Sequence, residues 1–164
     1  MSEKRIAVIP GSFDPITNGH VAIVKRALEE YDQIYLAVMI NSAKQYLFTL
    51  EQRTAIAIAA LGQYDRVEVI SSEGMLWELA RDLGACAIVK GYRNQTDYEY
   101  EMKMAEFNTA HNPNAPTVLY RSEESLADVS STLVRERLRA GLPLDQYLPQ
   151  KTIPLIETFL ASNQ

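Results

Sequence analysis

Cysteine, histidine and tryptophan are scarce in this chain of 164 residues, which contains one cysteine, two histidines and one tryptophan. A single cysteine, Cys86, cannot form a disulfide within the chain, so the sequence excludes the disulfide frameworks of small secreted proteins. Cys86 stands in an apolar run over residues 85–89, which predicts a small buried residue in a strand. No cluster of histidines and carboxylates stands out, and we therefore predict no protein-built metal site.

Long hydrophobic segments and an excess of positive charge are also lacking. No apolar run approaches the roughly 20 residues that span a bilayer, and residues 1–5 lead into a short strand instead of a signal-peptide core. Lysine and arginine number 16 against 21 aspartates and glutamates, a net charge of −5, whereas proteins that hold nucleic acid usually carry a dense basic face. We expect a cytoplasmic protein with no membrane and no nucleic-acid partner. A small phosphorylated ligand, which needs only a few placed cations, fits this composition.

Short apolar segments alternate with segments of helical periodicity, which at this length predicts one domain over residues 1–164. The predicted strands cover residues 6–9, 34–40, 67–70, 85–89 and 117–120. The predicted helices cover residues 20–31, 50–61, 76–83, 98–109, 130–140 and 153–160. Repeated strand–helix units predict an α/β fold, a Rossmann-like doubly wound parallel sheet of about five strands with helices on both faces. Ligands of such sheets bind where the strand order reverses, so the residues after strands one, two and four matter most.

Residues 10–20, directly after the first predicted strand, combine Gly, Ser, Asp, Pro and Asn in a strand-to-helix turn that ends at His20. Backbone N–H groups in such a turn and at the following helix N-terminus form a site for an anion. Ser12 adds a hydroxyl donor, and His20 adds a ring donor whose protonation can be tuned near neutral pH. The segment is neither a Walker loop nor a G-x-G-x-x-G turn. The residues alone therefore indicate an α/β protein that handles phosphate groups.

Two motifs far apart in the chain resemble those of a known superfamily. Residues 17–20 read Thr-Asn-Gly-His and resemble the T/H-x-G-H signature of nucleotidyltransferases, and residues 130–135, Ser-Ser-Thr-Leu-Val-Arg, resemble that superfamily's second signature. Further runs are similar to those of bacterial phosphopantetheine adenylyltransferases, at residues 42–44, 48–53, 90–93 and 97–102. The resemblance extends over nearly the whole chain.

The resemblance implies transfer of the adenylyl group of ATP to 4′-phosphopantetheine, which gives dephospho-coenzyme A and pyrophosphate in coenzyme A biosynthesis. It implies direct in-line attack without a covalent enzyme intermediate. The attacking phosphate oxygen is already ionised, so no strong general base is required. The site must then position both substrates and stabilise charge on the α-phosphate and the leaving pyrophosphate. Mg²⁺ is expected to arrive with ATP. A homohexamer and feedback binding of coenzyme A are further expectations, with Trp77, Tyr98 and Tyr100 as candidate interface residues.

The resemblance also assigns roles to individual residues. The expected catalytic residues are Ser12, His20, Lys44 and Arg93. The expected ATP contacts are Ser12, Phe13, His20, Gly91, Tyr92, Arg93, Glu101, Leu126, Ala127, Asp128, Val129, Ser130, Ser131 and Thr132. The expected phosphopantetheine contacts are Ser12, Lys44, Met75, Leu76 and Lys90. His20 would stabilise the transition state, and Ser130 and Ser131 would donate to ATP at a helix N-terminus.

Two places depart from the family pattern. Lys90 stands where many family members have arginine, and residues 126–128, Leu-Ala-Asp, stand where aromatic residues are usual. Lysine keeps the charge of arginine but not its bidentate geometry. The missing aromatic side chains change how the nucleotide would pack, whereas the reaction itself does not depend on them.

Plainer interpretations stay open beside these. Lys44 alone would be a solvated loop cation, Lys90 and Arg93 could form ordinary ion pairs, and Glu101 belongs to an acidic run that favours a helix dipole. Core or interface packing is the default role of Met75, Leu76 and Trp77. One alternative function is a sister transferase with another nucleotide or acceptor, such as glycerol phosphate or nicotinamide mononucleotide. Another is a non-catalytic regulator, which would bind ATP without turnover.

Overall fold

The computed structural model describes residues 3–163 and contains a five-stranded sheet in which every strand pairing is parallel. The strand order is β3-β2-β1-β4-β5. The strands are β1 Ile6–Gly11, β2 Gln33–Met39, β3 Val67–Ser72, β4 Ala87–Tyr92 and β5 Thr117–Arg121. The predicted parallel α/β sheet is confirmed. The ends of the predicted domain over residues 1–164, namely Met1, Ser2 and Gln164, lie outside the described residues.

Helices cover both faces of the sheet, as predicted. They are α1 Asn18–Leu28, α2 Leu50–Leu61, α3 Leu76–Asp82, α4 Gln95–His111, α5 Ser131–Ala140 and α6 Ile153–Ser162. Helices α1, α2, α5 and α6 pack on one cluster of buried side chains with Ala7 and Ile9 of β1, and α3 packs on a second cluster with Val8. Burial on both faces explains the continuous apolar runs in the central strands β1, β2 and β4. The edge strand β3 is less buried and alternates with polar residues. Within residues 3–163, no helix is long and apolar enough to cross a membrane.

Several element boundaries differ from the prediction. Helix α1 begins at Asn18, because Thr17 caps it, and it ends at Leu28, so that Tyr31 is buried beyond the helix. Strand β4 begins at Ala87 and not at residue 85. Cys86 therefore precedes the strand and is only partly buried, with its N–H donating to the Ile6 carbonyl at 2.8 Å.

The carboxyl ends of β1 and β4 part from each other and leave a crevice. Strand β1 pairs with β2 as far as Gly11, opposite Val38, whereas its pairing with β4 ends at Val8, opposite Ile88. Pro10 contributes to this separation because it has no N–H group to donate. Strand order reverses at β1, since β2 and β3 lie on one side and β4 and β5 on the other. The crevice is therefore the position at which open α/β sheets bind ligands.

Gly91 allows α1 to pack closely on β4. A methyl group at this position would lie 3.0 Å from Cδ1 and 3.1 Å from Cγ1 of the buried Ile23. We predict that Gly91→Ala lowers the free energy of unfolding by about 1–3 kcal/mol through overpacking. Ile23→Val removes Cδ1 and so relieves the contact. The loss in free energy of unfolding of the double variant, measured by urea denaturation, should therefore be smaller than the sum of the losses of the two single variants.

Gly74 provides the matched control for this substitution. A methyl group at Gly74 would meet nothing within 4 Å, so Gly74→Ala should not destabilise the protein through packing. Losses that are strictly additive for Gly91→Ala and Ile23→Val would contradict the close contact.

Candidate active site

The turn after β1 is tied to distant parts of the chain. The backbone of Phe13 lies in the left-handed region with φ +47°, and its buried ring meets the edge of the His20 ring at a centroid distance of 4.9 Å. Asp14 is 3% exposed, and its carboxylate accepts the N–H groups of Leu47 at 2.9 Å and Phe48 at 3.0 Å. The turn is therefore fastened to the segment that follows β2.

His20 lies in the first turn of α1 and closes a capping box with Thr17. The Thr17 N–H donates to Nδ1 of His20 at 3.0 Å, and the His20 N–H donates to Thr17 Oγ1 at 3.4 Å. Because Nδ1 is an acceptor, the ring proton resides on Nε2, which becomes the donor toward a ligand. Burial and, less strongly, the charge of Arg93 lower the pKa of His20 to about 4. The ring is therefore neutral at pH 7, and its single proton makes it a donor without positive charge.

The state of His20 can be measured directly, because the chain has only two histidines. We predict that an NMR titration finds a pKa of about 4 for His20, with the Nε2–H tautomer above that pH. Burial disfavours the charged ring, and protonation would also place a second positive charge beside Arg93 and remove the acceptor of the Thr17 N–H. The protonated form of His20 is therefore disfavoured in the folded protein. The variant His20→Gln assigns the signal. A midpoint near 6.5, the ordinary value of a histidine, would contradict this description.

The second signature motif holds the turn from its other side. The Ser130 hydroxyl caps α5 by accepting the Leu133 N–H at 3.1 Å, and the Ser131 hydroxyl donates to the Pro15 carbonyl at 2.8 Å. Arg135 follows one turn later, where Nη1 donates to the Asp14 carbonyl at 3.0 Å. The Ser131 hydroxyl thus donates its proton to the backbone, whereas the Ser130 hydroxyl accepts a bond and keeps its proton for another partner. The N–H groups at the start of α5 are further donors for a ligand, so the prediction that Ser130 and Ser131 donate to ATP at this helix N-terminus stays a prediction.

The N-termini of α1 and α5 lie side by side. A methyl group on Gly19, in the first turn of α1, would lie 3.5 Å from the carbonyl oxygen of Val129, directly before the cap of α5. Helix N-termini carry partial positive charge on their unpaired N–H groups. Two of them at one end of the crevice can therefore attract an anion.

Two of the expected phosphate-binding cations have carboxylate partners. Lys90 Nζ lies 2.5 Å from Oε2 of Glu101, in an ion pair that is mostly buried. The Nε of Arg93 lies 3.3 Å from Oδ2 of Asp97, and the Arg93 N–H donates to the same oxygen at 3.2 Å. The ion pairs that were an open alternative are therefore present. Lys90 also lies inside β4 and not after it, so only Arg93 follows that strand.

The other sequence-predicted residues lie along the same edge of the sheet. Lys44 is exposed in the loop after β2, and Met75 and Leu76 begin α3 after β3, with Met75 46% exposed. Gly91 and Tyr92 end β4, where the Tyr92 ring meets the Tyr98 ring at 5.0 Å.

The segment before and into α5 contains the remaining residues expected to contact ATP. Leu126 and Ala127 are half-buried, Asp128 and Thr132 are exposed, and Val129 is buried. The structure thus brings the turn, the end of β4 and this segment around one crevice. Within residues 3–163, no group of three or more His, Cys, Asp or Glu side chains is placed to hold a metal ion.

Comparison with known proteins agrees with this geometry. A model of the cytidylyltransferase-like family matches residues 8–137. A phosphopantetheine adenylyltransferase of Lactobacillus acidophilus is 42% identical over 147 residues, which cover 89% of this chain and 91% of the relative. The chain belongs to the phosphopantetheine adenylyltransferase family.

Two more relatives of the same name support this membership. The one from Francisella philomiragia is 43% identical over 132 residues, 80% of this chain and 82% of its own. The one from Streptococcus uberis is 35% identical and covers 100% of this chain and 99% of its own. The resemblance inferred from the motifs is confirmed, and the protein is a nucleotidyltransferase by family.

Sequence reasoning missed residues that shape this family member's site. Asp14, Thr17 and Arg135 hold the turn and His20 through the bonds described above. Arg53 is 1% exposed and donates to the carbonyl of Ser12, which directly follows β1, and to that of Met39, which ends β2. A signal for Arg53 does exist in the sequence, because helical spacing puts it on the same face of α2 as the buried Ile56.

Proposed function

We propose that this protein transfers the adenylyl group of ATP to 4′-phosphopantetheine and so forms dephospho-coenzyme A and pyrophosphate. One observation carries this proposal: in the crevice between β1 and β4, a neutral His20 presents its Nε2–H beside the charge of Arg93 and the N-termini of α1 and α5. Such a site can hold phosphate groups and stabilise charge on them. The substrates are those in the names of the relatives from Lactobacillus acidophilus and Streptococcus uberis.

The proposed reaction is a single in-line displacement. A phosphate oxygen of phosphopantetheine attacks the α-phosphorus of ATP, one P–O bond forms, and the bond to the leaving pyrophosphate breaks. The attacking phosphate is largely dianionic at pH 7 because its second pKa is about 6, so no general base is needed. A His20 with a pKa of about 4 is a weak base and a steady donor. Its Nε2–H would donate to an oxygen of the α-phosphate as charge develops there.

The acceptor would lie toward β2 and β3, and ATP toward β4 and α5. Ser12, Lys44 and Lys90 would hold the phosphate of phosphopantetheine, while Met75 and Leu76 would line its pantetheine arm. The ATP contacts would come from Phe13, His20, residues 91–93, Glu101 and residues 126–132. Because Lys90 is paired with Glu101, both substrates would share one ion pair at their junction.

Mg²⁺ would enter with ATP and neutralise part of the charge on its phosphates. The described residues offer no cluster of ligands for it, so we assign the ion to the phosphate oxygens of the nucleotide. We place the reaction in the cytoplasm, where ATP is supplied. Coenzyme A, which shares the pantetheine arm with the acceptor, would compete for the same site as a feedback inhibitor.

We also propose that the protein is a homohexamer. Helix α4 exposes Tyr100, Met104 and Phe107 at helical spacing, with 62%, 40% and 42% of each residue accessible in the single chain. A continuous apolar face of this kind is typical of a surface that another protein covers. Light scattering should then give six times the mass of one chain.

Product identification tests this function. The enzyme is incubated with 4′-phosphopantetheine and Mg²⁺ and with ATP labelled at the α-phosphate, and the products are analysed by mass spectrometry. We expect labelled dephospho-coenzyme A and, in a single turnover without acceptor, no label on the denatured protein. Label that stays on the protein would contradict the direct displacement, whereas an acceptor product other than dephospho-coenzyme A would contradict the proposed substrate.

A further inference from the structure

Arg53 in α2 is a buried cation to which the proposed function assigns no substrate contact. Its Nη1 donates to the Ser12 carbonyl at 2.7 Å and to the Met39 carbonyl at 3.1 Å. Ser12 directly follows β1, and Met39 is the last residue of the neighbouring strand β2. A single guanidinium therefore bonds two backbone acceptors at the carboxyl edge of the sheet, where the strands end.

The guanidinium is held in place from both sides. Its Cζ lies 3.9 Å from the centroid of the Tyr46 ring, so the two planar groups stack. Tyr46 belongs to the loop that contains Lys44. The carboxylate of Asp14 supplies an attractive charge on the side of the turn. Arg53 thus joins the turn after β1 to the loop after β2 through contacts with both.

The bond from Arg53 also fixes the peptide between Ser12 and Phe13. In a planar trans peptide the N–H points opposite to the carbonyl. Since the Ser12 carbonyl points to Arg53, the Phe13 N–H points to the other side of the turn. Phe13 has φ +47°, a conformation that a residue with a side chain keeps only where its surroundings enforce it. Among the bonds that residues 3–163 make between backbone groups of loops and turns, none has the Phe13 N–H as donor. This N–H can therefore donate to a bound anion.

We infer that Arg53 is a positioning residue for adenylyl transfer, which sets the spacing between the Ser12 turn and the Lys44 loop. This role rests on the proposed function, in which the turn binds ATP phosphates and the loop holds the acceptor phosphate. In-line displacement requires the attacking oxygen and the α-phosphorus to meet in a near-attack geometry, and a displacement of about 1 Å costs roughly 10²-fold in rate. Arg53 therefore acts through both loops at once.

The variant Arg53→Lys tests this role. Lysine keeps the charge and has three N–H donors, but it has no planar face to stack on Tyr46. Its nitrogen also ends one bond short of the position of Nη1, which donates to both carbonyls. We expect kcat to fall by roughly 10–10²-fold, KM to rise for both substrates, and calorimetry to show weaker binding of ATP. Thermal denaturation establishes beforehand the temperature below which the variant is fully folded.

Arg66→Lys is the control for the loss of a guanidinium that bonds two carbonyls. Arg66 is more exposed than Arg53 and donates to the carbonyls of Tyr31 at 2.8 Å and Leu28 at 3.1 Å, at the amino edge of the sheet. The Arg66→Lys variant should be less stable than the wild type but should have the same kcat, KM and ATP affinity. A purely structural Arg53 would behave in the same way, and that result would overturn the inference.

Two further outcomes are covered by the same experiment. If Arg53→Lys does not fold, the variant Tyr46→Leu replaces it, because it removes the stacked ring and leaves Arg53 in place. We expect a reduced kcat for Tyr46→Leu. Unchanged kinetics of this variant would overturn the inference. If the wild type binds ATP but forms no dephospho-coenzyme A, the proposed function is wrong, through either its acceptor or its catalysis. The ATP affinities of the Arg53 and Arg66 variants then decide the role of Arg53 at the turn, independently of the acceptor.

Discussion

Replacement of His20 by alanine is expected to lower kcat by ~10²–10³-fold while the fold persists, as does the loss of one preorganised donor in other enzymes. The Nε2–H of His20 is the donor in question, because the Thr17 N–H occupies Nδ1 at 3.0 Å. Above its pKa of about 4 the ring carries a single proton, which the bond from Thr17 to Nδ1 leaves on Nε2. The measurement is the rate of dephospho-coenzyme A formation per folded enzyme.

Two amide variants separate the roles of the ring nitrogens. In His20→Asn the amide oxygen takes the place of Nδ1, so the bond from Thr17 is kept and the distal donor is lost. In His20→Gln the amide nitrogen reaches toward the place of Nε2 and keeps a donor. We expect the glutamine variant to be the more active and the asparagine variant to be no less stable. The control is His111→Asn, which changes the other histidine of the chain and should leave kcat unchanged. Higher activity of His20→Asn than of His20→Gln would contradict the assignment of Nε2 as the donor.

Asp14→Ala is expected to destabilise the protein by about 3–5 kcal/mol, because it breaks a buried network of charges. The Asp14 carboxylate is 3% exposed, accepts two backbone N–H groups at 2.9 and 3.0 Å, and lies 3.9 Å from Nη1 of Arg135. Its removal leaves Arg135 and the buried Arg53 without their nearby negative charge. Urea denaturation measures the loss as a lower midpoint at an unchanged slope.

Asp32→Ala is the control for this prediction. The Asp32 carboxylate also accepts a backbone N–H, that of Arg5 at 2.8 Å, but on the exposed surface. Its replacement should cost no more than about 0.5 kcal/mol. Equal losses for the two variants would show that the Asp14 network contributes nothing beyond an ordinary surface bond.

The sequence predicted the sheet well and the ends of its elements less well. Buried parallel strands are apolar on both faces, so their runs are visible without any structure. Strand β4 shows the limit of this signal. Its apolar run stops at Val89, yet pairing with β5 continues through Lys90, Gly91 and Tyr92, because backbone hydrogen bonds do not depend on side-chain polarity. Helix α4 buries almost no apolar residue, and Asn94 fixes its start by accepting the Asp97 N–H.

The site was predictable where it rests on local motifs and unpredictable where it rests on distant contacts. Residues 17–20 placed His20 correctly at the start of α1. No spacing in the sequence predicts the bond from Arg135 to the Asp14 carbonyl, 121 residues away. Nor does any spacing predict the bond from Arg53 to the Ser12 carbonyl, 41 residues away. The same holds for the Ser131 hydroxyl, which donates to the Pro15 carbonyl, 116 residues away.

Pyrophosphate release tests the central claim most directly. The wild-type protein is assayed with Mg²⁺ and ATP, with and without 4′-phosphopantetheine, and again with CTP in place of ATP. We predict release only when ATP and phosphopantetheine are both present. Release with CTP or with another acceptor would contradict the substrate assignment in favour of a sister transferase. No release from a folded protein that binds ATP would contradict catalysis itself and favour a nucleotide-binding regulator.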